Sequence, residues 1–201
     1  MIAQEWAPWL EKLDTAALAD AARRLGLPAR FMDAAIKPVW SGARVLGPAY
    51  TVRVVPGQGG CGAAIEAAQP GDVIVVDARG RPDAIVWGEL FSGRARQEGV
   101  AGAVIDGAVR DLPGVRELGF PLFARAVVPG TARWEGDGEH QVPVTVGHVR
   151  VYPGDLVFAD EMGVMVVAPQ WWEKVAQAAD EIQQREGAKL EAYLKAGQSS
   201  T

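Results

Sequence analysis

The chain carries a single cysteine, Cys61, and only two histidines, His140 and His148, in 201 residues. One cysteine excludes an intrachain disulfide and any multi-cysteine metal site. Two histidines exclude a three-histidine zinc site within one chain. Lysine is scarce too: Lys12, Lys174, Lys189 and Lys195 lie in segments that read as exposed helices, and Lys37 stands beside Pro38 in a loop. None has the desolvated pocket that a Schiff-base lysine requires. Positive charge is in deficit, with a net charge of −5, which disfavours a general nucleic-acid binder. No apolar run approaches the roughly 18–20 residues of a membrane span. Met1–Leu10 has neither a basic region nor the apolar run of a signal peptide. The expectation is a cytoplasmic protein with no membrane or nucleic-acid partner. Any metal site must use oxygen ligands, which suits Mg²⁺ or a similar hard cation.

What remains is an ordinary globular composition, 49% hydrophobic and 22% charged, and a length that fits one domain spanning residues 1–201. Trp6, Trp9 and Leu10 form an apolar stripe on a short first helix. Leu13–Leu25 reads as a second helix, capped by Asp14 or Thr15 and stopped by Gly26 and Pro28. Ala43–Leu46 and Tyr50–Val55 read as two strands separated by Gly47-Pro48. A glycine-rich stretch, Pro56–Gly62, leads into a short helix over Ala63–Ala68; without a following Lys-Ser/Thr it reads as a flexible loop near a pocket rather than a phosphate cradle. The pattern Pro-Gly-Asp followed by an apolar strand occurs twice, at Pro70–Asp77 and Pro153–Asp160. Pro-Gly favours a type II turn, and Asp77 and Asp160 fit capping or turn roles. Pro113–Leu118 reads as a helix, Gly119–Arg125 as a strand, and Pro129–Gln141 as an exposed loop; both histidines read as surface residues. Val164–Val167 is a last strand. Gln170–Ala196 is a long helix, with Trp171, Val175, Ala178, Ile182 and Leu190 near one face. Strands alternate with helices in places but also follow one another, so the sheet is mixed.

The segment at 86–111 holds the densest chemistry. Gly88-Glu89 opens a helix, Gly99 closes it, and Ala101–Ile105 is a small, apolar, buried strand. Asp106-Gly107 reads as a tight turn leading to the adjacent pair Arg110-Asp111. One carboxylate therefore stands at a helix N-terminus, where free N–H groups and the helix dipole favour anions. An Arg-Asp pair stands just beyond a buried strand, where open α/β sheets gather ligands.

Glu89, followed after 20 residues by Arg110-Asp111, resembles the signature of the RraA-like proteins, in which the acid is usually Asp. Arg44–Val54, the Pro-Gly-Asp strands, Leu118–Ala124 and Pro153–Val167 extend the resemblance over almost the whole chain. The family includes divalent-metal-dependent 4-hydroxy-4-methyl-2-oxoglutarate/4-carboxy-4-hydroxy-2-oxoadipate aldolases and the regulator of ribonuclease E activity A. The resemblance implies a layered αββα (swivelling β/β/α-like) α/β domain, assembled as a homotrimer or hexamer with sites between subunits. It implies that Asp111 binds Mg²⁺ or Mn²⁺ and that Arg110 holds the keto oxygen of a 2-keto acid and stabilises the enolate. The N–H groups of Gly88, Glu89, Leu90 and Phe91 would receive the substrate carboxylate, and Glu89 would orient a water that shuttles the proton. A glutamate from a neighbouring subunit's C-terminal helix, here Glu186 with Glu181 and Glu191 as alternatives, would complete the water network; a solvated helix face is the plainer reading of the same residue.

The activity so implied is cleavage of a 4-hydroxy-2-keto acid to pyruvate, with oxaloacetate decarboxylation through the same enolate. With no Schiff-base lysine, a metal is the remaining electron sink. The alternative is a non-enzymatic regulator binding ribonuclease E; such relatives tend to lack an acid at the position of Glu89 and the long C-terminal helix. A methyltransferase reading finds no support in the loop at Gly57–Gly62, which lacks the arrangement of an adenosyl-cofactor site.

Overall fold

Several strands are apolar at nearly every position, as strands buried on both faces must be. In the computed structural model, which describes residues 6–54, 61–83, 85–130 and 138–198, they form the two inner layers of an αββα sandwich. The strands are β1 (Arg30–Phe31), β2 (Lys37–Pro38), β3 (Val45–Arg53), β4 (Val73–Asp77), β5 (Ile85–Trp87), β6 (Gly102–Val109), β7 (Leu122–Val127), β8 (Glu139–His140), β9 (Val144–Val146), β10 (Val149–Val151), β11 (Leu156–Asp160) and β12 (Gly163–Val167). The helices are α1 (Ala7–Lys12), α2 (Thr15–Arg24), α3 (Cys61–Ala67), α4 (Glu89–Gln97), α5 (Leu112–Leu118) and α6 (Pro169–Gln198). The main sheet runs β1-β12-β11-β3-β4-β6-β7-β2, with β5 on β6 and β8 on β3. β3, β4, β6 and β7 are parallel, as are β5 and β6; β11 and β12 are antiparallel to their neighbours.

Alternation along the strands separates three apolar clusters. Ile74, Val76, Ala103 and Ile105 face α3, α4 and α5. Val73, Val75 and Val104 face the opposite way, toward Val157, Ala159, Val164 and Val166 and the β9–β10 hairpin. Leu156, Phe158, Met165 and Val167 turn outward to α1, α2 and α6. This is the expected mixed, layered α/β fold. Among the described residues no helix is long and apolar enough to cross a membrane.

Several expectations need correction. Gly47-Pro48 does not separate two strands: β3 continues through it, pairing with β11 before and β4 after. It is the point where the chain passes from one layer to the other. A Cβ on Gly47 would lie 2.2 Å from the Gly71 carbonyl oxygen, so close approach explains the glycine. Asp106-Gly107 is not a turn either. Both residues lie inside β6, where the register against β7 slips between Ile105 and Ala108, a β-bulge with one extra residue. The strand expected at Gly119–Arg125 runs from Leu122 to Val127.

The short helix after the glycine-rich stretch starts at Cys61, earlier than expected. In α6, Val175 and Ala178 are buried and Ile182 packs against the same cluster as expected, but Trp172 is buried in place of Trp171, together with Ala176 and Ala179, and Leu190 is exposed. Gly197 does not end the helix, which runs to Gln198. Part of the loop expected at Pro129–Gln141 is β8, and residues 131–137 lie outside the described residues, as do residues 56–60 of the glycine-rich stretch and residue 55 at the end of the strand expected before it.

Other readings hold. Asp14 caps α2 through the Ala17 N–H. Gly71 and Gly154 take the positive φ that a Pro-Gly turn requires, 95° and 81°. Asp77 accepts a hydrogen bond from the Arg79 amide in a turn. Asp160 caps α2 from another element, accepting from the Thr15 amide and hydroxyl at 2.8 and 2.7 Å.

Candidate active site

Parallel strands β5 and β6 end side by side, and the chain leaves both into helices. Trp87 closes β5 and is held by stacking on Phe120 and by an edge contact with Phe91. Its indole N–H donates to Ser92 Oγ at 3.0 Å, and that hydroxyl donates to the Gly88 carbonyl at 2.9 Å. The start of α4 is thereby fixed to the end of β5. Gly88 is the N-cap, and Glu89 stands in the first turn. The N–H groups of Glu89, Leu90 and Phe91 have no acceptor within the helix, because the first turn never supplies one. They form a positively polarised end.

At the end of β6, the Arg110 amide donates to the Trp87 carbonyl at 3.1 Å, which ties the two strand ends together. Asp111 follows with left-handed backbone, φ 60° and ψ 39°, as the N-cap of α5. Asp tolerates that conformation better than most residues, and it turns the chain sharply into α5. Its side chain makes no cap hydrogen bond. A Cβ built on Gly88 would fall 2.6 Å from Asp111 Oδ2, so the carboxylate lies directly against the glycine. Arg110 Nε is 3.3 Å from the same oxygen, and Arg110 Nη1 donates to the Gly130 carbonyl at 3.3 Å. The Glu89 carboxylate lies over the first turn of α5, where a Cβ on Gly114 would be 1.9 Å from Oε2. Gly88, Glu89, Arg110 and Asp111 are thus brought together as their spacing suggested, with Leu90 and Phe91 in the same first turn.

Glu186 is not among them. It is an exposed residue of α6, in the α2–α6 layer rather than the α4–α5 layer. The histidines take no part either. His140 is half-buried beside Tyr50, not at the surface. His148 is exposed, with Nε2 3.1 Å from Asp33 Oδ2.

Among the described residues no group of three or more His, Cys, Asp or Glu side chains is arranged to enclose a metal ion. The donor set still fits a hard divalent cation of the weakly held kind. Asp111 offers carboxylate oxygens free of cap hydrogen bonds, and Mg²⁺ is commonly held by one or two carboxylates, with water and substrate filling the other positions.

Comparison with known proteins decides the lineage. The RraA-like family profile, Aldolase/RraA, matches residues 15–166. The chain belongs to the RraA-like family. It is 38% identical over 149 residues to a protein of Halalkalibacterium halodurans named "Putative 4-hydroxy-4-methyl-2-oxoglutarate aldolase", covering 74% of this chain and 71% of the relative. The crystal structure of an uncharacterized protein from Pseudomonas syringae pv. tomato superposes with a TM-score of 0.85 at 33% identity, over 96% of this chain and 94% of that one. Streptomyces coelicolor RraAS2, described as an unusual member of the RNase ES inhibitor RraA protein family, superposes with a TM-score of 0.81 at 31% identity, covering 95% and 100%. The RraA-like family thus brings both an aldolase name and an inhibitor name to this fold.

Gly114 is the residue of the site that sequence reading missed. Its role depends on contact between two helices. The only local signal is a glycine in the first turn of a helix, three residues after the Arg-Asp pair.

Proposed function

We propose that the protein is a divalent-metal-dependent lyase that cleaves a 4-hydroxy-2-keto acid of the 4-hydroxy-4-methyl-2-oxoglutarate type to pyruvate, and that also decarboxylates oxaloacetate. The observation that carries the reading is the convergence of the α4 N-terminus, Arg110 and an uncapped Asp111 at the ends of two adjacent parallel strands. Asp111 would hold the cation, Mg²⁺ or Mn²⁺, which supplies Lewis-acid polarisation of the keto oxygen when bound.

The chain's own groups do the rest. The N–H groups at Gly88–Phe91 receive the substrate's C1 carboxylate and fix its orientation. The C4 hydroxyl gives up its proton, the C3–C4 bond breaks, and its electron pair passes toward the keto oxygen. Arg110 meets the negative charge that develops there. Glu89 orients a water that takes up the hydroxyl proton and returns one to C3. Loss of CO₂ from oxaloacetate leaves the same three-carbon fragment, so the same groups serve both reactions. Glu186 would act from a second copy in a homotrimer or hexamer. A monomeric mass in solution would remove that role.

The test is pyruvate release from 4-hydroxy-2-keto acids and from oxaloacetate, above the rate with metal alone. Turnover with Mg²⁺ or Mn²⁺ that EDTA abolishes is the expected result; turnover undiminished in EDTA overturns metal dependence. The likeness to RraAS2 favours a second reading, a regulator that binds ribonuclease E. Capture of ribonuclease E by a protein with no lyase activity would establish that reading instead.

A further inference from the structure

Resting on the lyase reading, we infer that Gly114 is a positioning residue: its missing side chain creates the space that holds the Glu89 carboxylate over the first turn of α5. A Cβ at Gly114 would stand 1.9 Å from Glu89 Oε2 and 3.0 Å from both Cβ and Cδ. Non-bonded contacts to a real Cβ essentially never fall below 3.0 Å, so an alanine there drives the carboxylate away by about an ångström. Misplacement of that size at a reacting centre costs up to about 10²-fold in rate.

The atom displaced furthest is Oε2, the outer end of an exposed side chain. Glu89 Cβ, fixed to α4, would stand at 3.0 Å and need give by only a few tenths of an ångström. Gly114 is also helical, without the positive φ that would require glycine. By helix propensity alone alanine is the better residue. The glycine therefore works against the stability of α5, and the Glu89 side chain is what the structure sets in the space gained. Gly88 stands in the same relation to Asp111, with a Cβ there 2.6 Å from Oδ2, so two glycines set the positions of two carboxylates.

The test uses the full chain and the variants Gly114→Ala, Glu89→Asp and the double variant, read by kcat, KM and Tm. Gly114→Ala is expected to lower kcat at least about tenfold, with KM little changed and Tm unchanged or raised by about 1–4 °C. A role confined to helix structure would not separate kcat from Tm in that direction. Asp lacks the Oε2 that the added methyl would meet at 1.9 Å, so the double variant is expected to recover to the level of Glu89→Asp. Wild-type kcat in Gly114→Ala, or a double variant less active than Glu89→Asp, overturns the inference. If the wild type turns over no 2-keto acid, the lyase reading has failed, and the contact is judged by Tm alone. Removing the side chain by Glu89→Ala should then raise Tm more in the Gly114→Ala background than in the wild type, and equal shifts overturn the contact.

Discussion

Two arginine–aspartate pairs depend on β6, and they differ in how far their hydrogen bonding is satisfied. Asp106, within the bulge, uses both carboxylate oxygens: one accepts from Arg125 Nε at 2.5 Å, the other from the Gly147 amide at 2.7 Å. Its side chain is 7% exposed. Arg125 reaches on to Asp33 at 3.5 Å, so the cluster joins β6, β7, the β9–β10 hairpin and the loop before β2. Asp111, five residues later, has one loose partner among the described residues, at 3.3 Å, and is 35% exposed. A buried carboxylate with both oxygens engaged holds structure together and is closed to a ligand by its burial. One that is half-open and uncapped, beside a cation and a helix N-terminus, is free to take one.

That contrast is testable by removing charge from each pair in turn. Asp106→Asn removes the nearer of the two carboxylates that face Arg125, leaving the 3.5 Å contact with Asp33, and a loss of about 3 kcal/mol in unfolding free energy is expected by denaturant titration. A loss under about 1 kcal/mol would make the two pairs alike. Asp111→Asn should do the reverse: Asn accepts left-handed backbone, so stability stays within about 0.5 kcal/mol while metal-dependent turnover falls about 10²–10³-fold. Gly88→Ala presses a methyl against the Asp111 carboxylate, and a roughly tenfold weaker apparent metal affinity is expected; an unchanged metal titration would show that the close approach has no bearing on the site.

Acid gives a smaller effect. The Ala35 amide, and then Arg125, hold the Asp33 carboxyl below the usual carboxylate range. A depressed folded pKa means that the group's contribution is present above the unfolded pKa and lost as pH falls through the folded one. The Tm advantage of the wild type over Asp33→Asn should shrink between about pH 5 and pH 2; an advantage that grows on acidification contradicts the assignment. The smallest effect belongs to Cys61. Burial pushes its thiol up to about 12, so thiol reagents should modify it only as fast as the chain unfolds.

The sequence disclosed what short-range pattern controls. Apolar runs bounded by Pro-Gly turns located β4 and β11, and the spacing from Gly88-Glu89 to Arg110-Asp111 located the site because the residues come from the ends of two neighbouring strands. What it hid depends on contacts between distant segments. Gly47-Pro48 looks like a break until the Gly71 carbonyl is seen against it. Asp106-Gly107 looks like a turn because the bulge that contains it is defined by register against β7. Trp171 and Trp172 are adjacent, and only the packing of α6 on Phe158 and Met165 selects the second. Gly114 matters through Glu89, which lies on another helix.

The most direct measurement is pyruvate release by the wild type and by Asp111→Asn, assayed together at saturating Mg²⁺ or Mn²⁺ and corrected for the rate with metal alone. Turnover in the wild type that falls at least about 10²-fold in a fully folded Asp111→Asn is the expected result. Equal turnover in the two, or none in either, contradicts the assignment of this site as a lyase centre.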